Sequence, residues 1–244
     1  MQEHLYRDKN FTWQLSNSFS QEDKHRYYRW IKVIIVATLL IFGTALNLQP
    51  EANEWFIKES GLIESMSAAG YILCVITMMT LGRDPYLRKM WYFPVLLLAF
   101  AMRELDLHNR YTEFSILSSK FYLRSQDSIL TKSIAVAIVL FVVFAAYCML
   151  RQHLPGLRER LRQRLLTPID WSIIIATGFM FTAKSIDGLG RKLGGLGIEI
   201  SEKTDSIAAP LEESMEWAIP YLFITAVIIY FAQLKTRPST RSSP

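Results

Sequence analysis

Histidine and cysteine are both scarce in this chain, at four and two residues in 244. The two thiols, Cys74 and Cys148, fall inside apolar segments, where cysteine behaves as a small buried hydrophobe, and no disulfide framework is expected. A short apolar leader with a small-residue cleavage pattern is also missing. The first thirty residues are polar, and the first apolar segment is expected to act as an uncleaved signal anchor. Charge, too, is absent over long distances: none falls between Val33 and Leu48 or between Ser133 and Leu150. At 51% apolar residues and a mean hydropathy of +0.18, the chain is too greasy for a soluble domain. Its net charge of +5 does not indicate nucleic-acid binding, because the excess sits in loops that membrane insertion and anionic lipid both favour.

What is present comes in blocks. Ile31 to Leu48, Gly61 to Leu81, Met90 to Leu107, Ile129 to Leu150, Ile169 to Ile186 and Met215 to Leu234 are each apolar enough to be read as spans. A bilayer core about 30 Å thick takes roughly 20 helical residues. The fifth block meets Lys184 early and reads either as a span or as a re-entrant segment. The expected class is therefore all-α, an integral membrane bundle of six transmembrane helices over residues 31–234. A polar tail over 1–30 precedes it, and a tail over 235–244 follows it.

Basic loops stay on the cytoplasmic side. Six spans with the N-terminus inside gather Lys24, Arg26, Arg29, Lys32, Arg83, Arg88, Lys89 and the cluster from Arg151 to Arg164 on one side, and leave the outer loops net negative. Both termini are thus expected to be cytoplasmic. Leu154, Leu157, Leu161 and Leu165 alternate with Arg158, Arg160, Arg162 and Arg164, a pattern suited to an amphipathic helix on the inner leaflet. Thr167-Pro168-Ile169-Asp170 carries a cap, a proline at the first helical position and an acid at the third, so a helix should start there. In the second outer loop, Tyr111, Phe114, Phe121 and Tyr122 are spaced to form an aromatic face. In the last, Gly188, Gly190, Gly194, Gly195 and Gly197 surround Arg191 and Lys192 and read as a flexible linker.

The ionisable residues inside the blocks concentrate at the outer level. They are Glu64, Arg103, Glu104, Asp106, His108, Lys184, Asp187, Glu212, Glu213 and Glu216. A charge at bilayer depth costs at least about 2.5 to 3.5 kcal/mol on insertion scales, so these residues should face one another or a polar cavity. Glu104 and His108 share a helical face at four-residue spacing, as do Glu212 and Glu216. Seven acids stand against Arg103 and Lys184, so simple pairing leaves an excess that protonation, a bound cation or water must meet. The helix dipole accounts for acids at helix starts, Glu64, Glu212 and Glu213, but disfavours Glu104 and Asp106 at the end of their helix.

Gly61-Leu62-Ile63-Glu64, Arg103-Glu104-Leu105-Asp106-Leu107-His108 and Leu211-Glu212-Glu213-Ser214-Met215-Glu216 together resemble segments of uncharacterised bacterial multi-pass inner-membrane proteins. The resemblance implies a bacterial cytoplasmic membrane and no assigned activity. The zinc site of alkaline-ceramidase-like enzymes needs several histidines, and only His108 lies at the outer level. The Glu-Glu-x-x-x-Arg motif of prenyl-protein proteases meets Trp217 in its arginine position. The residues favour action on a lipid or lipid-linked headgroup by metal-assisted hydrolysis or transfer. Glu104, Asp106, His108 and Glu216 would be the catalytic groups, and a divalent cation would sit on Glu104, His108 and Glu216. Arg103 and Lys184 would meet substrate charge, supported by Glu64, Asp187, Glu212 and Glu213. Proton- or cation-linked transport and non-catalytic assembly are the alternatives. The expected partners are membrane lipids and either a membrane protein or a second copy of the chain.

Overall fold

The computed structural model describes residues 20–57, 61–82, 84–107, 114–195, 197 and 201–236, and the described residues are helical with no strand. The helices are α1 (Gln21–Asn47), α2 (Pro50–Ile57), α3 (Leu62–Leu81), α4 (Asp84–Lys89), α5 (Tyr92–Glu104), α6 (Ser119–Arg124), α7 (Ile129–Arg162), α8 (Pro168–Ile186), α9 (Leu189–Gly194) and α10 (Glu202–Thr236). Stretches containing α1, α3, α7, α8 and α10 are long and apolar enough to cross a membrane, which makes this a multi-pass membrane protein by length and composition. The tails expected over 1–30 and 235–244 fall mostly outside the described residues, but α1 already begins at Gln21, where the Ser20 side chain accepts the Asp23 N–H.

The centre of the bundle is α10, which packs most extensively on α8, then on α3 and α1. Half of its apolar window is buried inside the protein, against 11% for α7. The core joins Tyr71, Cys74, Val75 and Met78 of α3 to Ala218, Ile219 and Leu222 of α10, with Ile31, Leu97, Ala101 and Ala176 closing it. Close approach of α3 and α10 depends on Gly70, where an added Cβ would stand 2.9 Å from Cγ of Pro220. Small residues serve this purpose in membranes, where packing rather than water exclusion drives helix association. The α1 helix buries Tyr27, Ile31, Thr38 and Ala45 along one face and leaves the opposite one to its surroundings.

Two expectations are corrected. The third apolar block does not form one long helix from Met90 to Leu107. A turn at Met90 and Trp91 separates α4 from α5, and α5 runs for 13 residues, a rise of about 20 Å. It stops where Leu105 and Asp106 turn the chain, Asp106 with φ 49°. Among the described residues five helices therefore meet the length and composition of a span. Nevertheless α5 meets both ends of the bundle: the Tyr92 hydroxyl lies 2.7 Å from Nε2 of His153 at one, and Arg103 reaches Glu216 at the other.

The second correction concerns the leucine and arginine stretch after the fourth block. It is no separate surface helix up to Arg162. Instead α7 continues through Pro155 for 34 residues, about 51 Å. Leucines at three- and four-residue spacing fit a continuing helix as well as a surface one, and the helix absorbs the lost hydrogen bond and the ring clash of Pro155 without ending there. By contrast, the start expected at Thr167 is present in full. The Thr167 hydroxyl accepts the Asp170 N–H, and the Asp170 carboxylate accepts the Thr167 N–H at 2.9 Å.

Candidate functional site

Four helices deliver charge to one end of the bundle. The first turn of α3 brings Glu64, the last turn of α5 brings Arg103 and Glu104, the end of α8 brings Lys184, and α10 brings Glu212, Glu213 and Glu216. At the centre is Arg103. Its Nη2 donates to Oε1 of Glu216 at 2.5 Å, and its Nη1 stands 3.7 Å from Oε1 of Glu104. Both glutamates are buried, at 5% and 6% exposure, while about a third of the Arg103 side chain remains accessible. One guanidinium thus holds carboxylates from two helices distant in sequence, an arrangement that suits its planar fork of donors.

Around this triad lies a second ring. Glu104 is within electrostatic reach of Glu64 and Lys184 as well as of its immediate partners. Glu213 senses Glu216, Glu212, Glu104 and Glu64, all of one sign. Glu212 faces Asp187, Glu216, Lys184 and Arg103. Lys184 is ion-paired with Asp187, and Lys192 from α9 donates to the Lys184 carbonyl at 3.0 Å, drawing the short helix back over the end of α8. The glycine-rich segment is therefore helical over Leu189–Gly194 and left-handed at Gly188 and Gly197, with φ 57° and 76°.

Of the catalytic residues expected from sequence, Glu104 and Glu216 come together and Asp106 is exposed on the turn after α5. His108 lies outside the described residues. Among the described residues no three of His, Cys, Asp and Glu are arranged to hold a metal ion. Arg103 and Lys184, expected to meet substrate charge, both have carboxylate partners within the protein. Of the supporting set, Glu64, Glu212, Glu213 and Asp187 all lie in the cluster's field.

Tyr71 escaped the sequence reading. It is buried at 2% exposure, stacked on Phe100 with ring centroids 5.5 Å apart, and it lies in the electrostatic field of Glu104, Glu216 and Arg103. A hydroxyl in the middle of an apolar block was the available signal. The other omission is at the far end. There Arg160 donates through Nε and Nη2 to both carboxylate oxygens of Asp170, at 2.9 and 2.6 Å. Asp170 was recognised as a helix cap, but a cap residue at 1% exposure also needs a counter-charge. Comparison of the chain with family models, curated proteins and solved structures finds no match.

Proposed function

We propose that this chain works at its acidic end, where the carboxylates receive a cation and act on a lipid or lipid-linked headgroup by hydrolysis or transfer. The observation that carries the reading is the imbalance there. Among the described residues Glu104, Glu212, Glu213 and Glu216 crowd around Arg103 and Lys184, with Glu104 and Glu216 already gathered on one guanidinium. In a low-dielectric setting such an excess is met by a hard cation, for which oxygen ligands are the natural set. Arg103 then serves as the frame that fixes Glu104 and Glu216. Glu104 and Glu216, with His108 four residues beyond Glu104 in sequence, would supply the ligands and the acid or base, supported by Glu64, Glu212 and Glu213.

The same reading assigns six crossings and two cytoplasmic termini, in a bacterial inner membrane. Support comes from α5, whose ends meet opposite ends of the bundle despite its length, and from the basic loops that this topology collects on one side. Reporter fusions at Glu59 and Lys120 should both appear outside. A cytoplasmic result at either position would overturn the topology.

The chemistry is tested with the full chain in lipid nanodiscs. Loss of the free Mn²⁺ spin-resonance signal should reveal saturable binding, weakened by Glu104→Gln and by His108→Ala. The double variant should be little worse than either alone, because groups that work as a unit are strongly non-additive. No saturable binding in the unaltered protein would sink the cation reading and leave the charges as helix packing.

A further inference from the structure

The first turns of α1, beside the core-packing Tyr28, carry a different chemistry. His25, Tyr28, Arg29 and Lys32 line a groove of about 360 Å³ near the start of the helix. Their spacing of three, four and seven residues places them on one stripe. His25 donates its Nδ1 proton to the Gln21 carbonyl at 2.8 Å, which turns Nε2 outward. Arg29 and Lys32 are exposed and enter no ion pair among the described residues. The acid nearest in sequence, Asp23, is held by Arg26 on another face. Lys32 is the last charge before the apolar run of α1.

That stripe continues into the run. Val36, Leu39 and Leu40 are 55%, 63% and 66% exposed, and Gly43 follows at eleven residues from Lys32, about 16 Å along the axis. Leu39, Leu40, Gly43 and Thr44 line a second groove, of about 520 Å³, and a Cβ built on Gly43 meets nothing within 4 Å. One helix face thus presents cations that no acid among the described residues neutralises, and a shallow apolar groove beneath them, roughly the length of a leaflet's hydrocarbon.

The geometry points to a site for one phospholipid with a net anionic headgroup. Its phosphate sits among His25, Arg29 and Lys32, and an acyl chain lies along Val36, Leu40 and Gly43. Charge selects the occupant, since each basic side chain near the surface favours an anionic lipid by about 1 kcal/mol, whereas a zwitterionic headgroup offers no net attraction.

Native mass spectrometry of the detergent-solubilised full chain, delipidated and reloaded with equal phosphatidylglycerol and phosphatidylcholine, tests it. The unaltered protein should retain phosphatidylglycerol preferentially. Arg29→Gln with Lys32→Gln should reduce that preference by about thirtyfold, while the charge-preserving exchange Arg29→Lys with Lys32→Arg should keep it. Gly43→Leu fills the groove without meeting the protein and should lower retention of both lipids. Arg151→Gln with Arg158→Gln, exposed cations elsewhere, should change nothing. Equal retention of the two lipids by the unaltered protein would overturn the site, and so would an equal loss in the Arg151 and Arg158 variant. Displacement of phosphatidylglycerol by millimolar inorganic phosphate would make it an anion site and overturn the lipid assignment.

Discussion

The two ends of the bundle handle buried charge in opposite ways. At the end formed by the last turns of α7 and the first of α8, Asp170 has one guanidinium, one hydroxyl and one backbone N–H directed at it, and its charge is fully met by Arg160 and Thr167. At the other end Arg103 is divided between two buried glutamates, while Glu212 and Glu213 crowd the same field, where Lys184, itself paired, is the further cation among the described residues. A satisfied pair locks two helices. An unsatisfied cluster persists only if something other than packing maintains it, because each buried carboxylate without a partner costs several kcal/mol. The difference separates a structural clamp from a candidate site although both are built from arginine and acids.

The largest effect is expected at the clamp. Arg160→Met leaves Asp170 buried and uncompensated, which should cost about 3 to 5 kcal/mol. Thermal unfolding in detergent measures it, and the double change Arg160→Met with Asp170→Leu should recover most of the loss. If the double variant is as unstable as the single, the clamp is not a pair in the sense described. Next comes the helix contact that holds the core together. Gly70→Leu drives a side chain against Pro220 and should cost about 1 to 3 kcal/mol. Gly43→Leu, with nothing near its Cβ, should leave the melting temperature unchanged. A drop of similar size in both would show that the approach to Pro220 does not set the cost at Gly70, since leucine is the better helix former and propensity alone would raise stability at either position.

How much of this was legible in the sequence follows from the range of the interactions. The apolar blocks and the capping box at Thr167 are local patterns, and they lie where periodicity and spacing place them. Glu104 stood out because an acid at a helix end opposes the dipole, and it is indeed among the most buried charges, held by Arg103 one position away, whose guanidinium also reaches Glu216 on another helix. The clamp was illegible because Arg160 belongs to an arginine series whose other members are solvent-facing or only partly covered, and no pattern within that series distinguishes the one that meets Asp170. The length of α5 was missed for a related reason. Met90 to Leu107 is apolar throughout its first half, and hydropathy does not register that Trp91 begins a new helix or that Asp106 adopts a left-handed turn.

Within the acidic end the triad and the outer ring should respond differently. Arg103→Met exposes two buried carboxylates to each other without a counter-charge. It should destabilise by roughly 1 to 3 kcal/mol, less than the loss at Arg160, because the Arg103 side chain is about a third accessible to begin with. Glu216→Gln keeps the volume and a hydrogen-bond acceptor and should cost less than the arginine change. An unaltered melting temperature in Arg103→Met would mean that water already screens the triad.

The smallest effect on stability, and the sharpest on the comparison, is expected for Glu213→Gln. Glu213 has the acids Glu216, Glu212, Glu104 and Glu64 among its electrostatic neighbours, so like charge crowds it. Removing that charge while keeping the shape should leave stability unchanged or raise it by up to about 1 kcal/mol, the reverse of Arg160→Met at the clamp. If the cluster serves packing alone, nothing else should change. If it receives a cation, the same variant should weaken Mn²⁺ binding even as the melting temperature holds or rises, because the carboxylate that is superfluous for folding is one of those available to a ligand. A stabilised Glu213→Gln protein with unaltered Mn²⁺ binding would remove Glu213 from the site and confine the candidate ligands to Glu64, Glu104, Glu212 and Glu216.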